Sequence, residues 1–269
     1  MEPHGLITLL TDFGEADYFV PAVKGVLFSI NPAARAIDLT HHIPAQDIEA
    51  AAFTLGACYH HFPARTIHLA VVDPGVGSAR RPIVVVAGEQ YFVGPDNGLF
   101  SYVYAREQEV RVFHATREEY FRHPVSATFQ GRDVFAPVAA HLSLGLDVEA
   151  VGTEIEDYIR FDLPQPSASA NGRIAGQIIH IDRFGNCVTN FTTGELNPHQ
   201  APSSPRLICG GREITHFVTH FAEVQQPDEL FAYPGSAGYW EIGVWRNSAA
   251  DCLNAQRGME VSLEFKSQD

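Results

Sequence analysis

Over the first two-thirds of the chain, apolar positions alternate between two spacings. Leu6–Thr11 is a short apolar run ending in Asp12-Phe13-Gly14, which predicts a strand followed by a turn. Phe19, Val23, Leu27 and Ile30 then recur at spacings of four, four and three, one face of an amphipathic helix that Pro32 stops. Ala36–Thr40 predicts a second strand. Ile48, Ala52, Leu55 and Tyr59 predict a second helix, with Asp47 near its start. The β-branched runs Thr66–Val72 and Ile83–Ala87 predict buried strands, and Asp133–Leu144 a third helix. Strands separated by helices predict an α/β fold: a doubly wound, mostly parallel sheet with helices on both faces.

The pattern then changes. Leu163–Arg173, LPQPSASANGR, is rich in Pro, Ser, Ala and Gly and predicts a linker. Beyond it come short β-type runs at Arg173–Asp182, Cys187–Phe191, Arg206–Cys209, Tyr239–Trp245 and Met259–Phe265, with no convincing amphipathic helix between them. The expected division is an α/β domain over 1–163, a linker over 164–173 and a small all-β barrel domain over 174–269.

Composition narrows the function classes. A chain of 269 residues, 45% hydrophobic, can bury a large core. The balance of 18 Lys and Arg against 32 Asp and Glu gives a net charge of −14, which repels phosphate backbones and argues against a nucleic-acid partner. Four cysteines without a CxxC pair suit reduced thiols in the cytoplasm. The beginning of the chain lacks the basic segment of a signal peptide, and no stretch approaches the roughly 20 apolar residues of a membrane span. No HExxH occurs, so no metal site is expected. GxGxxG, GxxxxGK[ST] and GxSxG are missing too, which disfavours Rossmann, P-loop and α/β-hydrolase chemistry.

Several segments remain as candidate chemistry. Asp12 follows the first strand, where open α/β sheets bind ligands, and a carboxylate there can accept both hydroxyls of a ribose diol. Asp17 lies near the following helix start, as a ligand contact or a cap. In Val71–Arg81, an acid leaves an apolar strand into a Pro/Gly loop with two arginines. Asp73 and Arg80 can face each other across it, either in a site or as a surface salt bridge worth little. Asp96 and Asn97 sit in Gly94–Gly98, a tight turn whose polar pair can also line a pocket. Phe129-Gln130-Gly131-Arg132-Asp133 precedes the third helix, with Asp133 as its N-cap. Asp182–Asn186 reads as a hairpin loop.

Taken in order, ITLLTDFGEADYFV, VVDPGVGSARR, GPDNGLF, TFQGRDVFAPVAAHL, DRFGNCVTN and AYPGSAGYWEIGV resemble the S-adenosylmethionine (SAM) hydrolases, or SAM hydroxide adenosyltransferases, relatives of fluorinase and chlorinase. The resemblance implies hydrolysis of SAM to adenosine and methionine by water attacking ribose C5′, without metal or redox cofactor. It also implies a homotrimer with active sites between subunits. By resemblance Asp12 holds the ribose hydroxyls with Asp17 nearby. Asp182 and Asn186 approach the methionine amino acid group, Phe184, Ser236 and Tyr239 close the pocket, and Arg246-Asn247 lies towards adenine. Asp96, Asn97 and Gly131 join the substrate-binding set. Asp73 and Arg80 match two of three water-handling residues. The third is a histidine in the family, and here that position is Gln130, which cannot take a proton near neutral pH. Three readings stay open: Asp73 as the only base with Gln130 orienting water through its carbonyl, His114 or His123 swinging in, or a protein that binds the nucleoside without turning it over. Halide transfer is disfavoured, because fluorinase carries Tyr in place of Asp73, Ser in place of Gly131, and an insertion where Val86–Tyr91 runs directly here.

Overall fold

A computed structural model describes residues 5–168, 173–194 and 205–265. The chain forms two compact units, Met1–Leu163 and Pro164–Asp269.

The first unit runs β1 (Leu6–Thr11), α1 (Phe19–Ile30), β2 (Arg35–Thr40), α2 (Ile48–Cys58), β3 (Ile67–Val71), β4 (Pro82–Ala87), β5 (Gln90–Pro95), α3 (Ser101–Arg106), β6 (Val110–Ala115), α4 (Ala136–Ser143) and β7 (Gly152–Ile155). Its seven strands lie in the order β2-β1-β3-β5-β4-β6-β7. The β2-β1-β3-β5 half is parallel, and β4, β6 and β7 continue it antiparallel.

Strand periodicity divides the core between the two faces. Ile7, Leu9, Ile67, Leu69, Val84 and Val93 pack with Val23 and Leu27 of α1 and Val138 and Ala139 of α4. Leu10, Ala70, Ile83, Val85 and Phe92 pack with Ala51 and Leu55 of α2 and Val103 of α3. Helices on both faces explain why all six residues of β1 are buried. This is the fold class expected from the pattern.

Local chemistry sets the ends. Asp47 Oδ1 accepts from Ala50 N at 3.0 Å and caps α2. α1 ends at Ile30, where Asn31 N still donates to Leu27 O, just ahead of Pro32. The third helix departs from expectation. It opens with a π-helical turn, Gly131–Phe135, and Asp133 lies inside that turn, fully buried. Its carboxylate accepts from Arg132 Nε at 2.7 Å, Ser126 N at 2.9 Å and Arg122 Nη1 at 3.1 Å, so it ties two segments together and does not cap the helix.

Strand β5 escapes the sequence pattern because Gly94-Pro95 reads as a turn. Gly94 stands inside the strand because its backbone approaches β3 closely: a Cβ there would lie 2.3 Å from Ala70 O.

In the second unit every pairing between its named strands is antiparallel, and the sheet is barrel-like. It comprises β8 (Ser167–Ala168), β9 (Ile174–Ile181), β10 (Cys187–Thr192), β11 (Pro205–Cys209), β12 (Arg212–Ile214), β13 (Leu230–Pro234), β14 (Tyr239–Val244), the helix α5 (Ala249–Leu253) and β15 (Glu260–Phe265). The order is β12-β11-β15-β9-β10-β14-β13, with β8 added to β9. Irregular register on both sides of β10 bends the sheet around a core of Ile178, Phe191, Leu207, Trp240, Ile242 and Leu263. Ser167–Ala168, inside the stretch read as linker, pairs with β9, and residues 169–172 lie outside the described set. α5 corrects the expectation of a helix-free second half. At five residues it is too short for a periodic pattern, and Ser248 Oγ caps it by accepting from Asp251 N at 3.0 Å.

Candidate active site

In the parallel half of the sheet, Thr11 of β1 pairs with Val71 of β3, so Asp12 and Asp73 emerge from the same, carboxyl, end of the sheet. They line a cavity of about 390 Å³ together with Phe13, Phe129, Gln130 and Gly131. The loop after β3 is drawn in by Gly77, whose φ is +80° and whose added Cβ would meet Ala127 O at 2.5 Å. That approach brings the Asp73 loop against the segment leading to Gln130.

Arg80 joins the two. Its Nε donates to Asp73 Oδ1 at 2.9 Å and to Oδ2 at 3.0 Å, and its Nη2 donates to both Asp73 Oδ2 and Gln130 Oε1. The Arg80 and Asp73 side chains are only 8% and 6% exposed. The guanidinium lies 4.9 Å from the centre of the Phe135 ring, and its buried Nη1 has no hydrogen-bond partner among the described residues. This is therefore a desolvated pair held by several bonds, unlike an isolated surface salt bridge.

The pairing also decides how Gln130 is oriented. A guanidinium only donates, so the atom facing it is the amide oxygen, and the Gln130 NH2 is left to act as a donor. That oxygen accepts from Arg80 Nη2 and keeps a second lone pair that can still face a water.

Asp12 faces the same cavity. Its Oδ2 accepts from Gln46 N at 2.8 Å, while Oδ1 accepts from no residue among the contacts described. Phe13 and Phe19 pack against Phe129 with ring centroids 6.0 and 5.2 Å apart, forming an apolar wall. Gly131 sits beside it, 3.4 Å from the Phe13 ring measured from the Cβ it lacks.

Other candidates lie elsewhere. Asp17 is exposed, and the residue preceding α1 in the cap position is Tyr18. Asp96 is buried, accepting from Arg81 Nε at 2.9 Å and Ile159 N at 2.7 Å. Asn97 donates from Nδ2 to Val72 O at 2.9 Å and accepts from Leu99 N at 3.2 Å. Both hold the chain outside the cavity lining, and Asn97 fixes the carbonyl just ahead of Asp73. His114 lies on β6, where burial and then Arg81 lower its pKa, and His123 Nε2 is 2.9 Å from Glu118 O. Neither lines the cavity.

In the second unit, a larger cavity of about 830 Å³ is lined by Asp182, Phe184, Asn186, Ser236, Arg246 and Asn247. Tyr239, at the start of β14, lies outside that lining. The loop between β9 and β10 is a hairpin, as its composition suggests, and Asp182 organises it. Oδ1 accepts from Phe184 N and Asn186 N, both at 2.8 Å, and Oδ2 accepts from Asn186 Nδ2 at 2.8 Å. Asn247 is held by Asp228 Oδ1 at 2.9 Å.

The sequence reading missed Tyr233 and Glu241, which line this cavity and are joined by a hydrogen bond from the Tyr233 hydroxyl to Glu241 Oε2. Burial, with a contribution from Asp182, pushes the Glu241 carboxyl up against the opposing effect of the Tyr233 bond. The available signal was a lone glutamate in the apolar run YWEIGV.

Among the described residues, no three His, Cys, Asp or Glu side chains are grouped to hold a metal ion. No helix among them is long and apolar enough to cross a membrane.

Comparison with known proteins bears on both units. Residues 7–152 match the SAM hydroxide adenosyltransferase N-terminal domain, and residues 176–262 match the C-terminal domain. The chain belongs to the SAM hydroxide adenosyltransferase family. Family members similar to it include the (R)-S-adenosyl-L-methionine hydrolase of Salinispora tropica, 38% identical over 96% of this chain and 97% of that one. The (R)-S-adenosyl-L-methionine hydrolase of Thermus thermophilus is also 38% identical, over 96% and 98%. A fluorinase from an Actinoplanes species is more distant, 25% identical over 96% of this chain and 97% of its own. Among solved structures, a conserved protein of Thermotoga maritima superposes with a TM-score of 0.88 at 34% identity, covering 96% of this chain and 99% of the other. Within the family, the hydrolases are thus nearer to this chain than the fluorinase.

Proposed function

We propose that this chain hydrolyses S-adenosyl-L-methionine to adenosine and L-methionine, by attack of water at ribose C5′. The observation that carries the reading is the desolvated Asp73, held by Arg80, standing with Asp12 in one cavity at the carboxyl end of the sheet. Hydrolases 38% identical over nearly the whole chain support it.

In this mechanism Asp12 accepts from the ribose hydroxyls through its unengaged oxygen, and the wall of Phe13, Phe19 and Phe129 shields the sugar carbon from bulk water. Asp73, oriented by Arg80, holds one water in line with the C5′–S bond and takes its proton as the C–O bond forms. The sulfonium leaves as a neutral thioether, so departure needs no general acid. Asp182 and Asn186 serve the methionine amino acid group, Phe184 and Ser236 close over it, and Arg246-Asn247 lies on the adenine side. The proposal includes no metal or redox cofactor. It takes the working form to be a cytoplasmic homotrimer, each site drawing on two subunits.

A second reading, nucleoside binding without turnover, is favoured by one observation: Gln130, which lines the cavity with Asp73, is an amide and takes no proton near neutral pH. Chromatography of adenosine formed from SAM separates the two. Hydrolysis by the wild type, reduced about 100-fold or more in Asp73→Asn, is the expected outcome. A wild type no faster than spontaneous decay, with turnover appearing only in Gln130→His, establishes the binding reading instead. Added chloride or fluoride should give no 5′-halo-adenosine.

A further inference from the structure

The turn carrying Asp12 is held from outside the cavity by one buried side chain. His41, 2% exposed, follows β2, and its Nδ1 lies 2.8 Å from Thr11 Oγ1. The same hydroxyl accepts from Phe13 N at 3.2 Å. His41 Nε2 stands 3.1 Å from Asp38 Oδ1, and Lys24 Nζ in turn donates to Asp38 Oδ2 at 2.6 Å. The main chain of the same residue acts as well: His41 O accepts from Gly14 N at 2.8 Å, where Gly14 has φ +66°. His41 thus grips both ends of the segment Thr11–Gly14, side chain at one and carbonyl at the other, with Asp12 between them. Five residues on, Gln46 N takes one oxygen of the Asp12 carboxylate and leaves the other for a ligand.

We infer that His41 is a positioning residue that sets the Asp12 carboxylate for a vicinal diol and so determines the preference for ribose over deoxyribose. This rests on the nucleoside-binding reading above. His41 is not among the residues lining the cavity, so its effect passes through Thr11 and the turn. A leucine fills similar volume but supplies neither ring nitrogen, which leaves the turn free to rotate the carboxylate. An asparagine places its amide near the position of Nδ1 and can keep a hydrogen bond to Thr11 in either direction. Preorganising a polar group in this way adds to affinity only for the ligand that uses it.

The test is calorimetric titration with adenosine and with 2′-deoxyadenosine. Wild type should bind adenosine at least about tenfold more tightly. His41→Leu should lose about tenfold for adenosine while its affinity for 2′-deoxyadenosine stays within about twofold, so the preference collapses. His41→Asn should restore most of it, and Thr11→Ala, which cuts the same link from the other side, should reproduce the leucine result even if His41→Leu does not fold. Equal losses for both nucleosides, or an unchanged preference in the variants that fold, overturn the inference. A wild type that binds neither nucleoside, or binds both alike, overturns the reading of Asp12 on which it rests, and the inference with it.

Discussion

Arginine donates and never accepts, and this one property orders the residues around Arg80. It fixes the Asp73 carboxylate from two nitrogens and turns the Gln130 oxygen towards its own guanidinium. Arg80→Lys keeps the charge but replaces the planar fork with a single ammonium that cannot serve three acceptors in those directions. Steady-state kinetics should show kcat reduced about 10- to 100-fold with KM for SAM changed less than about threefold, because the defect lies in placing water, not in holding the nucleoside. Asp12, Asp73 and Arg80 were legible in the sequence because each sits at a strand end or in a loop of unusual composition. His41 and the Tyr233–Glu241 pair were not, since their partners lie in other segments of the chain. His41 reaches Thr11 across 30 positions, and Tyr233 meets Glu241 only through the pairing of β13 with β14.

Among the elements, the β3–β4 loop shows how backbone shape assembles the site. Gly77→Ala would put a methyl group on a residue with φ +80° and against Ala127 O, at a cost of about 1–3 kcal/mol. Thermal unfolding should fall in step with hydrolysis. Gly25→Ala, in α1, is the control, because its added Cβ meets nothing within 4 Å and its φ is not in the left-handed region. It should alter both by little. The elements that the sequence showed plainly were the amphipathic α1, the capped α2 and the buried β1, β3 and β4. Those it hid were short or carried misleading residues. β5 ends in Gly94-Pro95, α3 has six residues and α5 five, and the third helix begins with a turn of different pitch that displaces Asp133 from its expected role.

At the scale of the molecule, the same sheet that presents the site buries a titratable group. His68 of β3 is fully buried between Thr8 Oγ1 at 2.7 Å and Gln90 Oε1 at 3.0 Å, and burial lowers its pKa to about 4, against the opposing effect of the Gln90 bond. The unfolded chain therefore binds more protons than the folded one between about pH 6.5 and pH 4. Stability is complete above that window and declines as pH falls through it, by up to about 3 kcal/mol from this residue. Denaturant unfolding followed from pH 7 to pH 4 should show the decline, and His68→Gln should flatten that portion of the curve. The site and this sensitivity share one origin, a sheet covered on both faces.

The π-helical turn ahead of α4 has a consequence for how sites of this kind are compared. An α-helix advances about 100° per residue, so the additional residue in that turn rotates everything upstream by about that angle relative to the buried face of α4. Gln130 meets Arg80 by virtue of this offset. A protein carrying the same letters at 130–133 but one residue fewer before Ala136 would keep α4 packed and point its glutamine elsewhere. Phase along the helix, as much as residue identity, thus encodes the site, and a motif match that ignores it aligns letters without aligning side chains.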